Sequence, residues 1–470
     1  MFAKIQRIHF VGIGGIGMSG IAEVLLNLGY QVSGSDLKSS SFTQRLSTLG
    51  ATMFEGHRAE NVAGAEVVVA SSAISPNNPE ITQARLLHIP VIQRAEMLAE
   101  LMRLKYGIAI AGMHGKTTTT SMVAAVLAGG GLDPTVVVGG RVDAMGSNAR
   151  LGKSHYLVAE ADESDRSFLK LSPILAVVTN IDREHMDCYR NMRDVKRAFL
   201  DFMDRVPFYG MVVMCNDDSN LRRLLPQVRR RTVTYGTRRK SDFHINLGET
   251  MLEGNSPVSS FRVMYRDQDL GEFRLHVPGV HNVLNATAAI AVGIGLDINL
   301  DHIRSALENF RGVDRRFHLR GKVAGVSVID DYGHHPTEIR ATLAAARQCG
   351  FGRIHVIFQP HRFTRTRDLW DEFSTAFPDA DTLFILDIYP ASEAPIEGVT
   401  GEGLARHVGA TGGQQARYAA SFAEAADAAV AAAREGDMIL TLGAGSVSQL
   451  APMLLEKLGT REPATAKVGP

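Results

Sequence analysis

Short apolar runs alternate with segments of helical period along most of the chain. The run Ile8–Ile13 is followed by a glycine loop and by an apolar-periodic helix that ends at Gly29. The same order recurs at Gly107–Ala111, where a second loop leads into the helical stretch Thr117–Ala128. Strands and helices in this alternation are typical of a mostly parallel sheet covered by helices. The pattern therefore predicts an α/β fold.

The pattern changes further along the chain. Between Ser241 and His276, strict alternation replaces the helical period, which indicates a small antiparallel insert. Basic residues around Gly312 indicate a linker, after which strand and helix units resume. The alanine-rich stretch Ala419–Ala433 predicts a surface helix, and Arg461–Pro470, with two prolines and no apolar period, predicts a frayed tail.

These changes divide the 470 residues into three expected domains. Residues 1–106 are expected to form a Rossmann-like domain. Residues 107–314 are expected to form a central mononucleotide-binding, P-loop-like α/β domain that carries the insert. Residues 315–470 are expected to form a C-terminal Rossmann-like α/β domain.

Charge and cysteine content argue against several classes of protein. Lys and Arg number 50, as do Asp and Glu, so the chain as a whole has no electrostatic reason to bind nucleic acid or anionic lipid. Its three cysteines are far apart and show no C-x-x-C spacing, which argues against a disulfide framework or a cysteine zinc site. No run approaches the roughly 18 apolar residues of a membrane span. We therefore expect a cytoplasmic protein with neither nucleic-acid nor membrane partners.

The first glycine loop, Gly12–Gly17, reads G-x-G-x-x-G between a strand and a helix, and Asp36 follows Gly17 by nineteen residues. Its backbone amides would receive a diphosphate at the helix N-terminus, and Asp36 would meet a ribose or a base. A tight turn without a ligand is the alternative. The residues alone do not distinguish NAD from another diphosphate-bearing nucleotide.

The second loop, Gly112–Thr118, also lies between a strand and a helix. Lys116 can neutralise phosphate charge and the Thr117 hydroxyl can bind Mg²⁺. Two residues separate Gly112 from Gly115, where the usual Walker A motif has four. A plain helix start is the alternative, but four successive threonines are poor helix formers and need another reason.

Polar groups also follow later strands. The acidic segment Glu160–Asp165 could hold Mg²⁺ or could be a solvated loop, and His185 could bind metal or lie silently in a cleft. In the third domain, Arg362 and Arg365 could clamp a carboxylate or phosphate, or could belong to a charged helix start. Two nucleotide-type loops and a cationic clamp are what an ATP-driven condensation needs, whereas a dehydrogenase needs no Gly-Lys-Thr loop.

Seven motifs occur in order and together span almost the whole chain except the tail: His9–Ala22, Gly112–Thr120, Glu160–Asp165, His185–Asp187, Pro278–Asn285, Asp330–Glu338 and Phe358–Arg365. Together they resemble the Mur ligases of bacterial cell-wall synthesis. The continuation Met18-Ser19-Gly20 after the first loop is similar to the alanine-adding branch of that family.

The resemblance implies an ATP-dependent ligase that joins L-alanine to the lactyl carboxylate of UDP-N-acetylmuramate through an acyl phosphate and releases ADP and phosphate. It implies ATP and Mg²⁺, the metal as two ions, and either a monomer or a homodimer. Three alternatives stay open: a recycling ligase that adds a ready-made murein peptide, an NAD-dependent oxidoreductase, and an ATP-dependent switch without ligation.

The resemblance also implies roles for individual residues. The UDP-sugar set is Gly14, Gly15, Asp36, His57 and Ser71. The ATP set is Gly112, His114, Gly115, Lys116, Thr117, Thr118, Asn282, Arg316, Asp331 and Tyr332. The amino-acid set is Tyr332, His334, His361, Arg362 and Arg365, and the metal set is Thr117, Glu160 and His185. The groups expected to act in catalysis are Lys116, Glu160, His185, His334, Arg362 and Arg365.

Sister ligases carry a carbamoylated lysine about fifteen residues past the metal-site histidine. In this chain Phe199 or Leu200 falls at that position. The nearest lysine, Lys196, is expected to be solvated, so no carbamate is assigned.

Overall fold

The computed structural model describes residues 5–71, 73–142, 147–254, 256–411 and 415–460. Contacts between Cα atoms group the chain into two compact units. Unit 1 comprises 1–248, 261–274 and 282–313, and unit 2 comprises 249–260, 275–281 and 314–470. The predicted tail 461–470 lies outside the described residues. Among the described residues, no helix has both the length and the apolar character needed to cross a bilayer.

Strands and helices alternate from Arg7 to Arg103. In chain order they are β1 (Arg7–Val11), α1 (Ile16–Asn27), β2 (Gln31–Asp36), α2 (Ser41–Thr48), β3 (Thr52–Glu55), β4 (Val67–Ala70), α3 (Pro79–Leu86), β5 (Val91–Gln93) and α4 (Arg94–Arg103). The strands form a parallel sheet in the order β3-β2-β1-β4-β5. The chain runs outward from β1 on one side and then on the other, so the strand order reverses beside the carboxyl end of β1. Ligands bind at such a switch point in open α/β sheets.

A second sheet of ten strands follows. Its first elements are β6 (Tyr106–Ala111), α5 (Lys116–Gly129), β7 (Thr135–Val142), β8 (Ser147–Arg150), β9 (Tyr156–Glu160), β10 (Leu175–Val178), α6 (Met192–Met203), β11 (Met211–Cys215), α7 (Ser219–Leu224) and β12 (Thr232–Gly236). β6 lies between β9 and β10 and is parallel to both. The three loops that follow these strands therefore start at one edge of the sheet.

The predicted antiparallel insert consists of β13 (Phe243–Glu253), β14 (Ser256–Tyr265) and β15 (Gln268–Leu275). Only two residues connect each of these strands to the next, which is the connection of antiparallel strands. They are not a separate sheet, because β13 pairs with β12 and extends the sheet in the order β15-β14-β13-β12-β11-β10-β6-β9-β7-β8. The helices α8 (Val280–Gly295) and α9 (Leu300–Glu308) follow.

The rest of the chain forms a six-stranded sheet with helices on both faces. Its elements are β16 (His318–Val323), β17 (Val326–Asp331), α10 (Pro336–Gln348), β18 (Ile354–Phe358), α11 (Phe363–Asp368), α12 (Trp370–Ser374), β19 (Thr382–Ile385), α13 (Gly401–Thr411), β20 (Ala416–Tyr418), α14 (Phe422–Ala432), β21 (Met438–Leu442) and α15 (Leu450–Thr460). The order is β16-β17-β21-β18-β19-β20, with β16 antiparallel and the other pairs parallel.

Alternate residues of this sheet belong to two different apolar cores. Ile329 and Val356 pack in one core, while their chain neighbours Val328 and Ile357 pack in the other. Both faces of the strands are therefore buried, which explains why these strands appear in the sequence as continuous apolar runs. The predicted α/β architecture, with helices covering the sheets, is confirmed.

Candidate active site

The first glycine loop connects β1 to α1 at the switch point of the five-stranded sheet. Gly12 has φ +80°, and its N–H donates to the Ser35 carbonyl at 2.9 Å. Gly15 is the N-cap of α1, no side chain caps the helix, and its first turn holds no acidic residue. Helix N-termini without a side-chain cap or an acidic first turn are the kind that bind an anion such as a diphosphate.

Asp36, at the end of β2, braces this loop. Its Oδ2 accepts the Gly14 N–H at 2.8 Å, and its Oδ1 accepts the Leu37 N–H at 2.8 Å. A cavity of about 330 Å³ adjoins Asp36 at the carboxyl ends of β2 and β3, and Lys38 and Phe54 are among its lining residues. The predicted contact between Asp36 and a nucleotide stays a prediction, and the cavity offers room for one beside this residue.

His57 and Ser71, both predicted to contact UDP, lie near the same strand ends. The Nδ1 atom of His57 is 2.9 Å from Ser35 Oγ and 3.3 Å from Glu80 Oε2. The Ser71 N–H donates to Val11 at 3.1 Å, and a Cβ on Gly12 would lie 3.2 Å from Ser71. The structure therefore brings these predicted residues to the carboxyl edge of one sheet.

Glu80 is a buried member of this group that sequence analysis missed. Its carboxylate accepts hydrogen bonds from Ser35 Oγ at 2.6 Å and from the Asn61 amide, and lies 3.6 Å from His9 Nε2. Burial alone would raise the pKa of Glu80, but the adjacent His9 ring and the hydrogen bonds from Ser35 and Asn61 outweigh it and lower the pKa to about 2. A fixed anion thus lies beneath the strand ends that carry Asp36 and His57.

The second loop follows β6 and needs both of its glycines. Gly112 has φ +137°, and a Cβ there would overlap Thr179 Oγ1. Gly115 has φ +81°, and a Cβ there would lie 2.8 Å from Asn285 Oδ1. Asn285 also donates to Asn282 Oδ1 at 3.3 Å, which places the predicted residue Asn282 close to this loop.

The segment after β10 fixes the backbone of the same loop. The His114 N–H donates to Asn180 Oδ1 at 2.9 Å, and the Thr179 hydroxyl donates to the His114 carbonyl at 2.7 Å. The His114 Nε2 atom lies 2.9 Å from Asp182 Oδ2. Asn180 was not among the predicted site residues, although it directly follows a buried strand beside β6.

Lys116 begins α5 and bends back over its own loop. Its Nζ donates to the Gly112 carbonyl at 2.7 Å, to the Met113 carbonyl at 3.1 Å and to Glu163 Oε1 at 2.7 Å. Burial alone would lower the pKa of Lys116, but the negative charge of Glu163 outweighs it and holds the pKa above its usual value. The ammonium group is therefore charged and held at the mouth of the loop, where it can meet phosphate oxygens.

The predicted metal residues lie on the elements that surround this lysine. Thr117 is in the first turn of α5, and Glu160 ends β9 beside Ile110 of β6. His185 Nε2 lies 3.5 Å from Glu163 Oε1, and Glu163 Oε2 is buried with no hydrogen-bond partner among the described residues. Carboxylate and hydroxyl oxygens suit Mg²⁺, and a buried oxygen without a partner fits a cation.

Arg94 connects the first glycine loop to the acidic segment that follows β9. A Cβ on Gly17 would lie 3.1 Å from Arg94 Cδ and Nη1, so this side chain packs against the first loop. Its Nη2 atom donates to Asp162 Oδ2 at 3.1 Å, in the acidic segment that follows β9. The first loop and the acidic segment beside the second loop thus share one guanidinium group.

Unit 2 carries a second set of predicted residues at the carboxyl end of β17. Buried Asp331 accepts the N–H groups of Phe317 and Gly333, each at 2.7 Å, and burial raises its pKa. Arg316 Nη1 lies 3.7 Å from Glu338 Oε1. The carboxylate of Asp331 thus fixes the turn before β16, and its predicted role toward ATP stays a prediction.

Four rings form a row beside Asp331. Tyr332 contacts His334 at 5.5 Å between ring centroids, His334 contacts His361 at 5.6 Å, and His361 stacks on Tyr389 at 5.5 Å. Burial, followed by the charges of His334 and the nearby arginines, lowers the pKa of His361 to about 3. Three predicted members of the amino-acid site are therefore adjacent, and His361 is a neutral imidazole near pH 7.

The two predicted clamp arginines adjoin this row. Arg365 Nη1 lies 3.2 Å from His361 Nδ1 and donates to the His361 carbonyl at 3.1 Å. Arg362 has φ +71°, a conformation rare outside glycine, and its Nε is buried without a hydrogen-bond partner among the described residues. Its Nη1 lies 4.0 Å from Glu393, which also accepts the Thr364 N–H at 3.0 Å.

Sequence analysis missed several residues that the geometry adds to these groups: Glu80, Arg94, Asn180, Glu163, Tyr389 and Glu393. Glu163 stood inside the acidic segment already singled out, and Asn180 lies two residues after β10, so their position after a strand could have identified them. Tyr389 follows β19 closely and carries the same signal. Glu80 gives no such signal, because its partners Ser35 and His57 are distant in the sequence.

Comparison with known protein families assigns all three parts of the chain. Residues 7–106 match the Mur ligase family catalytic domain, residues 110–293 match the Mur ligase middle domain, and residues 315–445 match the Mur ligase glutamate ligase domain. The three matches follow one another in the order of the three sheets.

Similar proteins extend over almost the full length. The chain is 72% identical over 98% of its length to a UDP-N-acetylmuramate--L-alanine ligase from Koribacter versatilis, covering 99% of that protein. It is 65% identical over 99% of its length to the enzyme of that name from Acidobacterium capsulatum, covering 100% of that protein. The crystal structure of a UDP-N-acetylmuramate-alanine ligase from Thermotoga maritima superposes with a TM-score of 0.80 at 31% identity, over 96% of this chain and 98% of that one. The chain belongs to the Mur ligase family.

Proposed function

We propose that this protein joins L-alanine to the lactyl carboxylate of UDP-N-acetylmuramate in peptidoglycan biosynthesis, with ATP converted to ADP and phosphate. Relatives that are 72% and 65% identical over nearly the whole chain bear the name of this activity. We further propose that the reaction takes place in the cytoplasm, in a monomer or homodimer, with domain limits at residues 106 and 314.

One structural observation supports the proposal in addition to the names of the relatives. Unit 1 contains two glycine loops at switch points of two sheets, and Arg94 contacts Gly17 of the first while it binds Asp162 beside the second. A ligase that phosphorylates a nucleotide-linked carboxylate needs two such sites close together, because the carboxylate must reach the γ-phosphate. A dehydrogenase would have no use for Lys116 and its acidic neighbours.

The first loop supports binding of the UDP diphosphate. The N-terminus of α1 has neither a side-chain cap nor an acidic residue in its first turn, which favours a phosphate there, and the cavity beside Asp36 offers room for the nucleoside. The proposed contacts are made by Gly14, Gly15 and Asp36, with His57 and Ser71 at the neighbouring strand ends.

The second loop supports binding of ATP. Lys116 would exchange its contacts with the Gly112 and Met113 carbonyls for phosphate oxygens. Thr117, Glu160 and His185 are the proposed holders of Mg²⁺, which when bound neutralises charge on the phosphates.

In the proposed reaction the lactyl carboxylate attacks the γ-phosphate of ATP and forms an acyl phosphate. The alanine amine then attacks the acyl carbonyl, and phosphate leaves. The protein residues hold the reactants in line and stabilise the charge that develops, which is where catalysis of phosphoryl transfer mainly comes from.

The row of four rings in unit 2 supports the proposal that the amino acid binds there. Arg365 and Arg362 can bind the α-carboxylate of alanine, and His334 and His361 lie beside them. His361 accepts a hydrogen bond from Arg365 at Nδ1, so the neutral ring carries its proton on Nε2 and presents a donor there.

The experiment is a phosphate-release assay with every combination of UDP-N-acetylmuramate, ATP and L-alanine. Release that requires all three compounds supports the proposal. Release that requires a murein peptide in place of alanine would instead identify a recycling ligase. Release from ATP alone, without an amide product, would identify a nucleotide-driven switch.

A further inference from the structure

Glu80 is a fully buried carboxylate beneath the strand ends of the first sheet, and no step of the proposed reaction uses it. Its side chain is 0% exposed. Oε1 accepts the Asn61 amide and, at 3.4 Å, the Arg58 N–H, while Oε2 faces Ser35 and His57. Burial of a charge costs free energy, and apolar side chains can often replace buried charges without loss of stability. A role in orienting a neighbouring group would explain why this position carries a carboxylate.

The contacts of Oε2 determine where His57 carries its hydrogen. The Ser35 hydroxyl donates to Glu80 Oε2 at 2.6 Å, so its single hydrogen is used there. His57 Nδ1 lies 2.9 Å from Ser35 Oγ and 3.3 Å from Glu80 Oε2. Both oxygens are acceptors toward the ring, because the serine hydrogen is engaged and Glu80, with a pKa of about 2, is ionised. The hydrogen therefore lies on Nδ1, and the Nε2 atom of the neutral ring keeps a lone pair.

The Nε2 atom of His57 is the part of the ring that remains for a ligand. Among the described residues, the hydrogen bonds of His57 are made through Nδ1, and the side chain keeps 11% of its surface exposed. A lone pair accepts a hydrogen bond from an N–H or O–H group and repels a carbonyl or phosphate oxygen. Within a uridine diphosphate, only the uracil N3–H and the ribose hydroxyls are such donors. In this state the ring therefore suits the nucleoside and not the phosphates.

The position of Glu80 is fixed by groups other than His57. Asn78 caps α3, and its side chain accepts the Glu80 N–H at 2.9 Å, while Pro79 lies in the first turn of the helix. The His9 Nε2 atom lies 3.6 Å from Glu80 Oε2. The carboxylate is thus a rigid support, and binding groups are most precise when a second layer of residues holds them.

We propose that Glu80 is a positioning residue of the UDP site, which keeps the hydrogen of His57 on Nδ1 so that Nε2 accepts a hydrogen bond from an N–H or O–H group of the uridine. The inference rests on the proposed function, because it takes UDP-N-acetylmuramate as the ligand beside this sheet. Glu80 acts through His57 and does not itself touch the ligand.

The first measurement locates the hydrogen in the ligand-free protein with ¹⁵N-labelled histidine. At about pH 8, above the ordinary pKa of a histidine ring, the ¹⁵N chemical shifts show which ring nitrogen carries the hydrogen. The signals of His57 are identified by their absence in His57→Phe. The wild-type protein should carry the hydrogen on Nδ1. In Glu80→Gln part of it should move to Nε2, because the glutamine amide can donate to Ser35 Oγ and free the serine hydroxyl to donate to Nδ1.

The second measurement is calorimetric titration with UDP-N-acetylmuramate of the wild type, Glu80→Gln, His57→Phe and the double variant. Glu80→Gln should weaken binding about tenfold in the wild-type background. In the His57→Phe background the same change should alter Kd less than about twofold, because the ring through which Glu80 acts is absent. Glu60→Gln is the matched control, since it removes an exposed carboxylate from the same segment, and it should leave Kd unchanged.

Titration of the wild type and His57→Phe with the N3-methyl, 2′-deoxy and 3′-deoxy forms of the ligand identifies the donor. The form that lacks the donor should lose affinity for the wild type and not for His57→Phe. This comparison and the wild-type ¹⁵N spectrum do not depend on the folding of Glu80→Gln, which thermal unfolding checks.

A hydrogen on Nε2 of His57 in the wild-type protein would overturn the inference. Equal losses of affinity from Glu80→Gln in both backgrounds would also overturn it, since Glu80 would then act through the fold alone. The same holds if none of the three modified ligands distinguishes the wild type from His57→Phe. A wild-type protein that does not bind UDP-N-acetylmuramate at all would overturn the proposed function and the inference together.

Discussion

The Gly14 N–H donates to Asp36 Oδ2 at 2.8 Å, and an ideal Cβ on Gly14 would lie 2.9 Å from the same oxygen. The strand end and the glycine loop are thus in direct contact, with no room for a side chain between them. The conformation of the proposed UDP site depends on this contact as well as on the flexibility of glycine.

Gly14→Ala should therefore destabilise the protein and weaken UDP-sugar binding. The added methyl group has to displace Asp36, and overpacking of this kind costs about 1–3 kcal/mol. Gly15→Ala is the control for the fold, because a Cβ there meets no atom closer than 3.6 Å. Thermal unfolding of the ligand-free variants checks the stability, and titration with UDP-N-acetylmuramate checks the binding. Equal melting temperatures for the two variants would contradict the packing argument.

Lys116→Ala should remove most turnover while the fold remains intact. The ammonium is the charged group at the mouth of the second loop, and loss of one such preorganised electrostatic partner costs about 10²–10³-fold in rate. Lys153→Ala, at an exposed position of the same domain, should retain wild-type kcat. Steady-state phosphate release with both variants provides the comparison. Near-normal turnover in Lys116→Ala would mean that ATP binds elsewhere.

Glu80→Gln should destabilise the protein most at neutral pH. The folded pKa of about 2 lies below the ordinary value of 4.5, so ionised Glu80 stabilises the fold above about pH 4.5, and this stability is lost as the pH falls toward 2. The difference corresponds to about 3 kcal/mol.

Urea unfolding from neutral pH down to about pH 3 should show the gap in unfolding free energy between wild type and Glu80→Gln narrowing, because below about pH 4.5 the acid protonates Glu80 in the unfolded wild-type chain. Glu60→Gln, which removes the same charge at an exposed position, is the control and should change little. A gap that stays constant with pH would show that the ionisation of Glu80 does not contribute.

The sequence predicts which loops lie at the carboxyl edge of a sheet, because this depends only on which loop directly follows each strand. Each glycine loop follows an apolar strand, and carboxyl ends of parallel strands share an edge, so the pattern placed Lys116, Glu160 and His185 each after a strand, and the resemblance implied that they form one site. The resemblance to Mur ligases then added roles that spacing alone left open. Those roles remain predictions until the variants are measured.

The missed contacts depend on residues far apart in the chain. Ser35 and Glu80 are 45 positions apart, and Arg94 and Asp162 are 68 apart, so no local pattern predicts either pair. The alanine-rich stretch forms the surface helix α14, as predicted. One face of α14 is buried against the last sheet, because small side chains such as Ala425 and Ala429 allow close packing.

The amino-acid site should be strict against large side chains and lenient toward close analogues. If Arg365 and Arg362 bind the α-carboxylate as proposed, selection of alanine depends on one methyl group. Such a group discriminates by about 1–3 kcal/mol, so glycine should lose about 10–200-fold in kcat/KM and serine should be rejected no better. Competition among L-alanine, glycine, L-serine, L-leucine and L-glutamate measures the ratios. A preference for leucine or glutamate would refute the assignment.

The most direct test uses UDP-N-acetylmuramate labelled with ¹⁸O in its lactyl carboxylate, mixed with ATP, L-alanine and the protein, followed by mass spectrometry of the products. In the acyl phosphate one carboxylate oxygen bridges carbon and phosphorus, and it leaves with the phosphate when the amine attacks. The account predicts that the sugar nucleotide gains the mass of one alanine residue and that the released phosphate carries ¹⁸O. A sugar nucleotide of unchanged mass, or an amide product with unlabelled phosphate, would contradict it.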